Sequence, residues 1–185
     1  KYNTHGSMVK MPHLQKLDWD FSEHLQHVAK GTQEAWYRYD AQKQRTRKIV
    51  ESNNIKEERI YFGGFEINRK WDDSLLIEQS ETIQLTDGSQ RMILIDHIEV
   101  SQEFTADKLL YRYQYSNHLG SSSLEIDENN NIISYEEYHP FGTTAYLAKT
   151  SNIKSAAKRY RYTGMERDNE SGLNYHSARY YIPWL

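Results

Sequence analysis

The chain has 185 residues, of which 37% are hydrophobic, a mean hydropathy of −0.90 and no cysteine. This length fits one domain or one piece of a larger one, and the missing thiols exclude disulfides and thiolate metal sites. The net charge is −3 with both signs mixed along the chain, which argues against the basic face of a nucleic-acid binder.

Fifteen tyrosines in a leucine-poor chain point to an extended sheet, since tyrosine seals a surface with its ring and satisfies its hydroxyl at the edge. Taken in order, an aromatic residue followed by Asp or Asn and a short polar turn recurs. The copies are Tyr2-Asn3-Thr4-His5-Gly6, then Trp19-Asp20 through Glu23, then Tyr39-Asp40 through Lys43, with Tyr61-Phe62-Gly63-Gly64 as a degenerate fourth. Their leading aromatics are spaced by 17, 20 and 22 residues, and Tyr115, Tyr138 and Tyr162 follow at 23 and 24. Such a period suits one hairpin per unit, with Asp or Asn bonding the backbone amide two residues on. A lone hairpin cannot bury its face, so the units must stack.

Residues 18–30 admit either an amphipathic helix, with Phe21, Leu25 and Val28 on one face, or a hairpin in register with its neighbours, and the hairpin is preferred. Leu75 to Leu85 and Arg91 to Val100 read as strands joined by the turn Thr86-Asp87-Gly88-Ser89. Ser123 to Ile126 and Ile132 to Tyr135 are strands around the loop from Asp127 to Asn131. Residues 149–158 are the expected irregular or helical insert. The closing stretch from Lys158 to Leu185 places Tyr160, Tyr162, Tyr175, Tyr180 and Tyr181 around Gly164, Asp168, Asn169 and Gly172, which reads as strand, turn, strand.

Several constellations invite chemistry. Glu166-Arg167-Asp168 could flank a scissile bond, but an arginine fork pinning a turn is the preferred reading. His118 has no partner nucleophile in view, and Ser121-Ser122-Ser123 lacks the glycine-flanked elbow of a hydrolase, so a hydrogen-bonded structural histidine is expected. His24 and His27 have no third metal ligand. In Glu57-Glu58 and Glu136-Glu137 the adjacent side chains of a strand point to opposite faces, so neither pair converges on one atom. Gly63-Gly64 lacks the lysine and serine of a phosphate loop and suits a bulge or a close strand approach. The tyrosines line an inner face or pack across strands. No apolar run approaches the ~20 residues of a membrane span.

The ordered set of motifs resembles the RHS/YD-repeat family, in the form seen in C-type components of bacterial toxin complexes. Tyr39-Asp40 through Arg45 resembles a YD repeat, and Glu58 through Ile67, with Gly63 and Gly64, resembles the segment preceding the family's core. Asn117-His118-Leu119-Gly120-Ser121, then Tyr135 through Gly142 with Tyr138 and Pro140, then Tyr160 through Trp184 follow in the family's order. That last block carries Tyr162, Gly164, Glu166, Arg167, Asp168, Gly172, Arg179, Tyr180, Tyr181 and Pro183. Departures are His139 and Ile182 where Asp is common, and Asn174 where Tyr is frequent.

The resemblance implies stacked antiparallel hairpins forming part of a curled sheet or hollow shell, with repeats over residues 1–106 and a core-associated segment over 107–185. It implies a structural role: enclosing a C-terminal toxin and positioning it for self-cleavage. The partners would be the remainder of the shell (N-terminal repeats or a B-type subunit) and the payload, with no nucleic acid. The expected setting is secreted or bacterial cell-surface. No cofactor, metal or catalytic residue is carried over. The chain begins without methionine and has no DPxGL-like cleavage sequence, so it is expected to be a fragment lacking its cutting site. The alternative is a surface module binding carbohydrate or protein through its aromatic stripes.

Overall fold

The computed structural model describes residues 1–88, 90–102, 108–150 and 158–185. One side-chain device repeats along it. Asp40 Oδ1 accepts the amides of Gln42 (2.9 Å) and Gln44 (2.8 Å), and Asp20 does the same for Ser22 and His24. Asn3, Asn117 and Asp127 form the same pair of bonds, to the residues two and four positions on. The fourth turn residue is left-handed each time: Gly6, Glu23, Lys43, Gly120 and Asn130 all have positive φ. The sequence pointed to the first of these bonds; the second closes the loop over the left-handed residue. Asp40→Ala should cost about 1–2 kcal/mol and Asp40→Asn much less, measured by urea denaturation.

Two of the expected copies differ. Tyr61-Phe62-Gly63-Gly64 is a two-residue hairpin turn with Phe62 opposite Phe65. Its glycines serve the turn and a close approach, because a Cβ on Gly64 would lie 3.2 Å from the Gln84 carbonyl. His139 heads the same backbone turn as the Asp and Asn copies, with Gly142 N–H donating to His139 O at 2.9 Å, but it supplies no side-chain acceptor. His139→Asp should therefore add the missing bonds and stabilise by about 1 kcal/mol, read as a raised urea midpoint.

These turns join twelve strands into one antiparallel meander in chain order. They are β1 Lys16–Trp19, β2 Leu25–Lys30, β3 Gln33–Tyr39, β4 Arg45–Ser52, β5 Ile55–Phe62 and β6 Phe65–Asp72. There follow β7 Leu75–Asp87, β8 Gln90–Ser101, β9 Lys108–Ser116, β10 Ser122–Ile126, β11 Ile132–Tyr138 and β12 Thr144–Lys149. The sheet is open: β1 and β12 each pair on one side only. Residues 18–30 form the β1–β2 hairpin. β8 pairs with β9, so the meander runs on from the repeat half of the chain into the core-associated half. Ser89 of the 86–89 turn and residues 151–157 of the expected insert lie outside the described residues. No α-helix occurs among the described residues, and none is long and apolar enough to cross a membrane.

Strand alternation gives this sheet two unlike sides. One side carries the cross-strand row Lys48, Arg59, Asn68, Ser80, all buried. The other carries the row Phe65, Ile83, Ile95, Tyr111, of which Ile83 is 46% exposed. A buried polar side accounts for the low mean hydropathy. The apolar core proper sits at the N-terminal end, where Leu14, Leu17, Leu25, Val28 and Tyr37 meet Leu173 from the far end of the chain.

The last residues form a separate three-stranded sheet, β13 Glu166–Arg167, β14 Asn174–His176 and β15 Arg179–Tyr181. The closing stretch is thus three short strands rather than two, with Tyr162 in a 3-10 turn over Tyr162–Gly164. This block lies against the polar side of the meander.

Candidate functional site: a buried charge cluster under the C-terminal block

Arg45 is the first residue of β4, placed there by the Asp40 turn. Its Nη1 donates to Asp168 at 2.7 Å and its Nη2 to Glu166 at 2.6 Å. Its guanidinium lies 4.2 Å from the Tyr175 ring centroid and 5.2 Å from that of Tyr61. Lys48 follows on the same strand, with Nζ 2.9 Å from Asp168, 3.4 Å from Glu170 and 3.5 Å from Glu166. Arg159 spans two carboxylates, Glu166 at 3.1 Å and Glu66 at 2.6 Å. The tyrosines complete the satisfaction: Tyr37 donates to Glu170 (2.9 Å) and Tyr61 to Glu166 (3.1 Å). All these charged groups are buried except Arg159, which is nearly so. Ions buried this deeply lose several kcal/mol each in hydration, so the cluster persists only because its partners are in place.

A second, smaller cluster fastens the entry to the block. Glu136 of β11 receives Arg161 Nε at 3.0 Å and lies 3.4 Å from Lys158 Nζ. Tyr138 and Thr144 also donate to Glu136.

Burial opposes the charged form of Glu166, yet Arg45, Lys48 and Arg159 outweigh it and hold the carboxyl well below the ordinary range. Burial likewise opposes Glu136, and Arg161 and Lys158 bring it down. Such depressed groups stabilise the fold above the ordinary carboxyl pKa of ~4.3, and that stability is lost as pH falls through their folded values. Glu170 runs the other way: burial raises it against the pull of Lys48, so its share is present at low pH and lost as pH rises through its folded value. Of these three carboxyls, two are depressed and one is raised. The melting temperature should fall steadily below about pH 4, checked by calorimetry across the acid range; an unchanged value near pH 3 would contradict this.

The structure brings the expected residues together unevenly. Glu166 and Asp168 meet in the cluster, but the arginine that forks between them is Arg45 from the sheet, not Arg167. Glu166 and Asp168 point one way from their short extended stretch, and Arg167 points the other. Tyr138, Pro140, Gly142, Tyr162 and Tyr181 form a stack: Tyr162 donates to the Pro140 carbonyl at 2.8 Å and Tyr181 to the Phe141 carbonyl at 2.9 Å. Tyr39 and Tyr180 meet hydroxyl to hydroxyl at 2.8 Å, so the Asp40 turn touches the block through its neighbour. The turn from Asn117 to Gly120 abuts Gly164, whose Cβ position is 3.2 Å from the Gly120 carbonyl. Leu119 is exposed in that turn.

His118 corrects an expectation. It is exposed at the tip of its turn and makes no side-chain hydrogen bond among the described residues; Asn117 holds the loop. Gly63 and Gly64 sit at the exposed tip of the hairpin whose Tyr61 and Glu66 enter the cluster, and Arg179 is exposed, while Gly172 and Pro183 lie within the block. Tyrosine packing across the contact is explicit, with Tyr37–Tyr180 centroids at 5.9 Å and Tyr39–Tyr175 at 6.3 Å. His24 and His27 face Asp20 at 3.4 Å and Asp18 at 2.9 Å, in separate pairs.

Comparisons with known proteins place this architecture. No family model matches the chain. Toxin subunit YenC1 of Yersinia entomophaga is 37% identical over 182 residues, 92% of this chain. The TcdB2–TccC3 crystal structure superposes over 95% of the chain with TM-score 0.84 and 31% identity. The chain belongs to the RHS/YD-repeat family, in its toxin-complex C-type form. The family's shell architecture and the open hairpin meander agree. The segment spans 18% of YenC1 and 9% of the TcdB2–TccC3 chain. The tRNA3(Ser)-specific nuclease WapA of Bacillus spizizenii is also similar, 26% identical over 168 residues, with the chain spanning 6% of it.

Sequence reasoning missed Arg45, Lys48, Glu66, Glu136 and Arg159 as partners. Their signal was charge at inward positions of otherwise strand-like runs, which reads equally well as a solvated edge.

Proposed function

We propose that this RHS/YD segment is a structural piece of a β-shell that encloses a C-terminal toxin and positions it for self-cleavage and release. The observation that carries this is the open meander. Twelve strands in chain order leave both edges unpaired, and unpaired edges seek further strands. In this reading the neighbours are the preceding repeats of the same polypeptide or a B-type subunit, and the setting is a secreted bacterial toxin. The same segment recurs in YenC1 and in a nuclease, proteins with differently named actions, which suits a common container better than an active moiety. Asp168 and Glu166 are fully committed to Arg45 and Lys48, which suits a segment without enzymatic activity of its own.

Electron cryo-microscopy of the full-length protein tests this. These strands should be found within the wall of a closed hollow body. Finding them as a separate open module, or saturable binding on a glycan array, would overturn the reading in favour of a surface-recognition module.

A further inference from the structure

Between the polar side of the sheet and residues 167–170 lies a trough of about 560 Å³. Lys48, Arg59, Asn68 and Ser80 contribute to its lining as one cross-strand row, and Arg167 lines it from the block. Every carboxylate lining it is engaged. Glu57 pairs with Arg59 at 3.3 Å, Glu78 accepts from Asn68 at 3.1 Å, Asp96 pairs with Arg112 at 2.7 Å and Glu170 with Lys48 at 3.4 Å. The cations are not all matched. Lys70 and Arg167 line the trough and have no ion pair or side-chain hydrogen bond among the described residues. Three buried polar atoms of the lining make no hydrogen bond: the donor Arg59 Nε and the acceptor Asn68 Oδ1, on residues 7% and 5% exposed, and Asp96 Oδ2, which has only its ion pair with Arg112 at 2.7 Å. Burial, with Arg161 nearby, lowers the pKa of Arg167, and Glu136 offsets this only in part.

We infer that this trough binds an acidic, extended peptide segment, whose carboxylates are taken by Lys70 and Arg167 and whose backbone is taken by Arg59 Nε and Asn68 Oδ1. A carboxylate supplies the missing counter-charge, and its charge-assisted bonds are the strong ones in a partly dry site. A bare anion has nothing to donate to Asn68 Oδ1, whereas a peptide N–H does. The volume lies within the range of ordinary ligand sites, about 300–1,000 Å³. The inference stands on the trough alone and holds whether or not the segment belongs to a closed shell.

The test is fluorescence anisotropy on the full-length protein with labelled hexaglutamate, hexaserine and hexalysine peptides. Hexaglutamate should bind saturably and hexalysine should not. Lys70→Gln and Arg167→Gln should each weaken hexaglutamate several-fold, and the double variant by about tenfold or more. The melting curves of the variants identify any that fail to fold, and Lys70→Gln, at a partly exposed position of β6, serves alone if Arg167→Gln does. Equal binding of the acidic and basic peptides, or undiminished binding by a folded double variant, would overturn the proposal. Competition by free glutarate as strong as by the peptide would also overturn it, because the site would then be one for a small dicarboxylate.

Discussion

Arg45→Ala is expected to destabilise the fold by about 3–5 kcal/mol, the usual cost of removing one partner of a buried ion pair. The reason is what remains behind. Asp168 and Glu166 would keep Lys48 and Arg159 but lose the guanidinium that bonds both of them, at a fully buried position. Three ring contacts, to Tyr37, Tyr61 and Tyr175, go with it. Arg45→Lys should recover only part of the loss, since an ammonium cannot fork to two carboxylates in one plane. The effect should be local at first. Hydrogen exchange should quicken across residues 158–176, while β9 to β11 exchange as before. Equal loss of protection in both regions would mean that the cluster holds up the whole sheet and not only the block.

Gly142→Ala should cost about 2–4 kcal/mol, from two causes that add at one site. Its φ is +84°, where a side chain is strained by about 1 kcal/mol or more, and the added methyl would overlap a packed ring at about 1–3 kcal/mol. The Cβ would lie 2.8 Å from Tyr162 Cε1 and closer still to Cγ. Tyr162 cannot yield easily, because Tyr138 and Tyr181 flank it with centroids at 5.9 and 6.1 Å and its hydroxyl is tied to Pro140. Denaturation of Gly142→Ala beside the double variant Gly142→Ala/Tyr162→Ala checks the mechanism. The second change should relieve part of the cost of the first; simple additivity would assign the whole effect to backbone strain.

The hairpin meander was legible because the turns announce themselves. Asp20, Asp40, Asn117 and Asp127 each sit where a strand-favouring run stops, and a short polar side chain there has one dominant local use. The families of tyrosines were legible as packing, though not as pairs, since Tyr37 and Tyr180 are far apart in the chain and nothing local couples them. The charge cluster was not legible. Glu166 and Asp168 stood out together, but Arg167 between them was the nearest cation and drew the inference. Alternation in an extended stretch sends Arg167 to the opposite side, and the true partner lies across a contact of 123 residues in sequence. Conversely, His118 attracted attention by its chemistry, while the turn geometry needs only its neighbour Asn117. Distance in sequence, not chemical subtlety, hid the site.

Protease protection in the full-length protein joins the cluster to the proposed role most directly. Polypeptide downstream of this segment should resist a protease in the wild type and be digested in Arg45→Ala at a pH where the sheet itself stays folded. Rapid digestion of the downstream polypeptide in the wild type, or undiminished protection in the folded variant, would contradict a wall sealed by this cluster.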